Sequence, residues 1–146
     1  MTAPDPIRVL FVCTGNSARS IMAEALLRQE GGGAFEVHSG GTHPKGINPL
    51  TVRVLTEAGL DVSWARSKSV EEFLGQSFDY VVTVCDDARQ ACPVFSGVHE
   101  TLHWSHPDPA EARGTEEERM AVFRETFSRL REQVRAFTGV TARQPV

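Results

Sequence analysis

The chain has 146 residues, 40% of them hydrophobic and 23% charged, with a net charge of −4, enough for one domain with a real core and unlike a disordered segment. The acidic balance, with no Lys/Arg-rich run, argues against nucleic acid or an anionic membrane as main partner, but not against a small anion held by local dipoles. No stretch could span a bilayer and Met1-Thr2-Ala3-Pro4-Asp5-Pro6 lacks a basic signal-peptide start, so a cytoplasmic location is expected, where three cysteines point to chemistry rather than to structural disulfides.

Residues 1–6 read as a loose tail. Val9 to Val12 are consecutive apolar residues, the pattern of a strand covered on both faces, spanning about Arg8 to Cys13. The strand runs into Thr14-Gly15-Asn16-Ser17-Ala18-Arg19-Ser20, where turn formers predominate and Gly15 can adopt backbone angles barred to other residues. A helix follows from Ser17 or Ser20 to Glu30, stopped by Gly31-Gly32-Gly33. A loop at a helix N-terminus aims free N–H groups and the helix dipole at one spot, which binds an anion. Arg19 would close this cradle with a planar, two-pronged donor. Cys13 stands at its lip, and donors that hold an oxyanion also stabilise a thiolate. A nucleophile and an oxyanion trap in one turn suit attack on a phosphate-like centre. C-x5-R alone recurs by chance, its plain alternative being a buried cysteine beside a surface arginine. The strand, turn and helix around it favour the functional reading.

Phe35 to Ser39 alternates like a second strand, and residues 40–46 form a Gly/Pro-rich loop. A helix fits Pro49 to Ala58, with Gly59 beyond its end. A short strand at Arg66 to Lys68 and a short helix around Val70 to Gly75 are expected. Asp79 to Cys85 is the second strongly apolar strand and also ends in a cysteine. Thr101 to Trp104 reads as a last strand, followed by a rigid loop, His106-Pro107-Asp108-Pro109. Thr115 and Glu118 form a capping-box pattern, then Met120, Phe123, Phe127, Leu130, Val134 and Phe137 recur at helical spacing as a core-facing stripe, closed by Gly139. Alternating strands and helices give an α/β fold, a mainly parallel sheet with helices on both faces. Ligands then bind beyond the strand C-termini, where Cys13 and Cys85 both fall.

Cys85 and Cys92 are seven residues apart. If the polar segment between them is helical, their Cα atoms lie about 10 Å apart, beyond the roughly 4.4–6.8 Å of a disulfide. Pairing would require residues 86–92 to unwind, a redox switch; the plain alternative is a buried Cys85 with an unrelated Cys92. No C-x2-C spacing exists and His99, His103 and His106 match no zinc pattern, so no metal is expected. Asp108, between two prolines, is a candidate general acid or a simple turn aspartate. His38, His43 and His99 read as surface or satisfied core histidines.

The chain resembles thioredoxin-coupled arsenate reductases within the low-molecular-weight tyrosine phosphatase superfamily. The carrying segments are Val12 to Ser20 with Met22-Ala23-Glu24, then Val81 to Cys85 through Cys92-Pro93, then His103-Trp104 and Asp108-Pro109. The resemblance implies a single-domain, four-stranded, three-layer fold over residues 7–138, with short tails at 1–6 and 139–146. It implies a relay: Cys13 attacks arsenate (phosphate or sulfate as mimic) held by the amides of Thr14 to Ser20 and by Arg19, and Asp108 protonates the leaving oxygen. Cys85 then attacks Cys13 to release arsenite, and Cys92 attacks Cys85 to expose a disulfide to thioredoxin. Ser20 would donate to the Cys13 thiolate. No cofactor is implied, and a monomer is expected. Relatives often carry a loop cysteine where this chain has Ala18. Some bind potassium through residues matching Asn16, Glu24 and Ser39 plus an acid; Lys68 occupies that last position, so a built-in ammonium would replace the ion. The alternatives are a tyrosine phosphatase using Cys13, Arg19 and Asp108, weakened because Ala110 follows Asp-Pro where such enzymes carry tyrosine, and a phosphocysteine carrier or plain oxyanion-binding module, which needs neither Cys85 nor Cys92.

Overall fold

The computed structural model describes residues 5–85 and 100–141. Four parallel strands, β1 (Ile7–Cys13), β2 (Phe35–Gly41), β3 (Tyr80–Thr83) and β4 (Glu100–His103), form one sheet in the order β2-β1-β3-β4. Among the described residues the α-helices are α1 (Arg19–Gly31), α2 (Pro49–Glu57) and α3 (Glu116–Thr141). Every residue of β1 from Val9 to Cys13 is buried, so the central strand is covered on both faces, as its unbroken apolar run requires. The α3 stripe from Met120 to Phe137 is buried throughout. Phe137 packs against Phe35, Tyr80 and Trp104, joining the last helix to three strands or their ends.

Local chemistry accounts for the boundaries. Asn48 accepts from Leu50 N–H to start α2, with Pro49 in its first turn. Gly59 takes a φ of +77° just past its end. The capping box is formed in both directions, Thr115 N–H to Glu118 Oε1 and Glu118 N–H to Thr115 Oγ1, each 3.1 Å. α3 does not stop at Gly139; it continues to Thr141, whose buried hydroxyl donates to the Phe137 carbonyl at 2.8 Å. α1 starts at Arg19, between the two expected starts, and runs through Gly31 before a 3-10 turn over Gly32–Ala34.

The strand expected at Arg66 to Lys68 reduces to one bridge, Gly41 to Ser69, with Gly41 N–H donating to Lys68 O at 2.8 Å. β2 extends past Ser39 to Gly41, level with Cys13 in the β1 register. This brings the chains leaving β1 and β2 side by side. They touch so closely that a Cβ at Gly41 would lie 2.6 Å from Thr14 O and 2.9 Å from Asn16 N. Those are backbone atoms and cannot swing away. The variant Gly41→Ala is therefore predicted to lose about 1–3 kcal/mol of stability, measured by urea unfolding; unchanged stability would show that the Thr14–Asn16 backbone can yield.

Candidate active site

The loop from Cys13 to Arg19 is held from outside. The Cys13, Thr14, Gly15 and Ser17 carbonyls accept from the N–H groups of Thr42, His43, Lys45 and Asn48, at 2.8–3.1 Å. The Thr51 hydroxyl also donates to Ser17 O (2.8 Å), and Ser67 to Gly15 O (3.2 Å). A trans peptide points its N–H opposite its C=O. Carbonyls pinned outward thus turn the amides of Thr14, Gly15, Asn16 and Ala18 toward the cradle, and Asn16 N–H donates to Cys13 Sγ at 3.2 Å.

The left-handed residue of the loop is Asn16 (φ +45°), not Gly15, the residue whose missing side chain would most readily allow it. Asn16 is fully buried and every amide atom is used. Its Oδ1 accepts from Lys68 N–H (2.9 Å), so its Nδ2 must face the hydroxyls of Ser20 (2.8 Å) and Ser39 (3.0 Å). Ser39 in turn donates to Glu24 Oε1 at 2.6 Å, and Arg28 grips Glu24 Oε2 at 2.6 and 3.0 Å. Ser20 accepts from Asn16, which leaves its hydrogen free for Cys13 Sγ, 2.7 Å away, when that sulfur is a thiolate. Lys68 Nζ joins this cluster 3.9 Å from Glu24 Oε1 and 3.5 Å from Ser39 Oγ, and donates to Arg66 O at 2.9 Å. Burial pushes the Lys68 ammonium pKa down, an effect that the Glu24 carboxylate opposes.

Opposite the loop stands the segment after β4. Arg19 donates from one terminal nitrogen to the His106 carbonyl (2.9 Å), and the other lies 3.7 Å from Asp108 Oδ2. Arg19 Nε is buried and has no hydrogen-bond partner among the described residues. A buried guanidinium nitrogen without an acceptor is costly unless an anion supplies one. Asp108 is fixed by Ala110 N–H at Oδ1 (3.0 Å), and His106 is tied through Nε2 to Gln133 of α3. These residues line an open cavity of about 530 Å³ with Cys13, Thr14, Gly15, Ser17, Ala18, His43, Lys45, Cys85, Pro107 and Glu111.

Cys13 and Cys85 therefore share one pocket, at the β1/β3 boundary where the chain's direction across the sheet reverses. Both are buried free thiols, and Thr14 Oγ1 lies 3.3 Å from Cys85 Sγ. Cys92 and the proposed switch segment 86–92 lie outside the described residues. Of the expected oxyanion-site residues, Cys13, Thr14, Gly15, Ser17, Ala18, Arg19 and Asp108 line the cavity, while Asn16 and Ser20 lie behind it, in contact with Cys13 Sγ. Sequence reasoning missed Lys45, His43, His106 and Glu111 at the cavity; the Gly/Pro-rich run 40–46 signalled a loop but not which loop it serves. Among the described residues no group of three or more metal-ligating side chains converges, and no helix is long and apolar enough to cross a membrane.

The family model for low molecular weight phosphotyrosine protein phosphatases matches residues 8–144. An arsenate reductase of Halalkalibacterium halodurans is 39% identical over 129 residues, covering 88% of this chain and 93% of that protein. A solved thioredoxin-dependent arsenate reductase of Corynebacterium glutamicum superposes with a TM-score of 0.69 at 31% identity, over 96% of this chain and 65% of that longer one, so this chain spans just under two thirds of its length. The arsenate reductase structure of Archaeoglobus fulgidus gives a TM-score of 0.73 at 29% identity, over 90% and 98%.

His106 yields a prediction independent of turnover. Burial lowers its pKa, opposed by the Gln133 hydrogen bond. The unfolded chain takes up a proton near the ordinary value of 6.5 while the folded chain resists it. Stability then falls as pH drops below about 6.5 and stops falling below the folded pKa. In urea unfolding at stepped pH from 7.5 to 5.5, His106→Asn should flatten this loss; equal slopes in the two proteins would refute it.

Proposed function

The chain belongs to the low molecular weight phosphotyrosine protein phosphatase family, and within that family we propose that it is an arsenate reductase working through Cys13, Cys85 and Cys92 with thioredoxin as reductant. The observation that carries this reading is a second thiol, Cys85, in the same pocket as the cradled Cys13. A hydrolytic phosphatase has no use for it. The named relatives supply the substrate class, and the unpartnered Arg19 Nε fits a tetrahedral oxyanion.

In the proposed cycle the Cys13 thiolate bonds to arsenic, and the displaced oxygen leaves as water with a proton from Asp108. The Cys85 thiolate then attacks Cys13 Sγ. The S–As bond breaks, its electron pair stays on arsenic, and arsenite departs as arsenic(III), leaving a Cys13–Cys85 disulfide. Cys92 attacks Cys85 Sγ, returning Cys13 as a thiolate and forming Cys85–Cys92. A thioredoxin dithiol reduces that bond, so the two electrons gained by arsenic are restored to the protein. The Thr14 hydroxyl, 3.3 Å from Cys85 Sγ, puts a hydrogen-bonding partner beside that thiol within the pocket, which supports its place in the relay.

The test is arsenite release with thioredoxin, thioredoxin reductase and NADPH. Cys13→Ser should lower turnover by about a thousandfold or more. Cys85→Ser should stop turnover while sparing hydrolysis of an aryl phosphate, and Cys92→Ser should allow one turnover only. Sustained arsenite production without Cys85 or Cys92 would overturn the relay.

The Lys68 ammonium beside Glu24 and Ser39 supports a further expectation. Added potassium should leave reductase activity and melting temperature unchanged, and Lys68→Ser should make both respond to it. Strong potassium activation of the parent chain would refute the built-in cation.

A further inference from the structure

The chain carries two lysines against thirteen arginines, and both lysines are fastened to the oxyanion loop. Lys68 N–H donates to Asn16 Oδ1 at 2.9 Å, and its ammonium turns toward Glu24. Lys45 N–H donates to the Gly15 carbonyl at 3.0 Å, and its exposed side chain lines the pocket that holds Cys13, Arg19 and Asp108. Among the described residues Lys45 has no carboxylate partner. Asp108, which shares the pocket, is engaged by Arg19.

The lysine stem lies flat across Gly15. A Cβ built there would come 2.7 Å from Lys45 Cε, 3.0 Å from Cγ and 3.1 Å from Cδ, and these are its three nearest neighbours. Gly15 is not among the residues with positive φ, so backbone freedom does not explain the glycine. What its missing side chain provides is a berth for the Lys45 stem.

We propose that Lys45 is a substrate-capturing residue, whose ammonium meets the outward oxygens of a tetrahedral dianion seated on the loop amides and Arg19, and that Gly15 lacks a side chain so that Lys45 can reach it. The proposal rests on the oxyanion reading of the pocket. A compact, hydrated ammonium on a flexible stem suits this position, where the anion arrives from water, whereas the planar Arg19 fork suits the buried seat. The resulting attraction is partly screened and salt-dependent, and it favours the doubly charged over the singly charged form of the anion.

The experiment is calorimetric titration of the reduced full chain with inorganic phosphate. The parent should bind, and Lys45→Gln should bind about fivefold more weakly, the effect of one unit charge at close range in a watery setting. Its affinity should also depend less on salt, and Lys45→Arg should restore binding to within about twofold of the parent. Gly15→Ala should weaken binding by displacing the lysine. The double variant Gly15→Ala/Lys45→Gln should bind no more weakly than Lys45→Gln, because the two changes act through one contact. Melting temperatures within a few degrees of the parent show that the variants fold. Parent-like affinity in Lys45→Gln, or a full Gly15→Ala effect on the Lys45→Gln background, would overturn the role of Lys45 alone. A parent chain that binds no phosphate would overturn the oxyanion reading beneath it.

Discussion

The site depends on a set of outward hydrogen bonds. Four carbonyls of the Cys13–Ser17 stretch are taken by the N–H groups of residues 42–48. Left alone, a turn with its amides converging would suffer from parallel dipoles inside and unpaired carbonyls outside. Segment 42–48 removes the second cost and leaves the first to be met by an anion or a thiolate. Its position is no accident of the loop. Because Cys13 pairs with Gly41 at the end of the β1/β2 register, the chain leaving β2 must run beside the chain leaving β1. Sheet register therefore becomes amide direction.

A second set of bonds reaches Cys13 from behind, and its polarity is determined as far as Ser20. The Lys68 amide fixes the Asn16 side chain, which forces Asn16 to donate to both Ser20 and Ser39. Ser39 passes its hydrogen to Glu24, a carboxylate neutralised by Arg28 and Lys68. Ser20 Oγ then lies 2.7 Å from Cys13 Sγ, with its hydrogen free to serve a Cys13 thiolate. Asn16, Ser20, Ser39, Glu24 and Lys68 are all buried, Arg28 alone reaching solvent, so removing one of the five leaves a polar atom unpaired rather than returning it to water. This explains why a glutamate with 1% of its surface exposed is tolerated in the middle of α1. It also shows how a lysine joins the cluster without stranding a charge.

Much of this was legible in the sequence where local chemistry decides the outcome. The apolar runs at Val9–Val12 and Tyr80–Val84, the Thr115/Glu118 box and the α3 stripe each state their own structure. Cys13 and Arg19 could be nominated from residue type and spacing, whereas Asp108 reads locally as a turn aspartate and is nominated through the family resemblance. What escaped was set by distant packing. The bond between Lys45 and Gly15 spans thirty positions, and His106 gains its anchor from Gln133 in another helix. Gly15 misled for the same reason: local rules assign a glycine to backbone freedom, yet the positive φ belongs to Asn16 and the glycine makes room for a side chain.

In the proposed function the loop recognises a tetrahedral anion by shape and charge, and arsenate and phosphate share both. Selectivity between reduction and hydrolysis must therefore lie in how the covalent adduct on Cys13 is released. Hydrolysis needs a water aimed at the central atom; reduction needs a thiol able to approach Cys13 Sγ. Thr14 bears on that choice. Its carbonyl is locked by His43 N–H at 2.8 Å while its hydroxyl meets Cys85 Sγ at 3.3 Å. The residue that helps to hold the cradle open thus also touches the second sulfur. In the proposed cycle a single residue of the loop therefore stands between the bound anion and the attacking thiol.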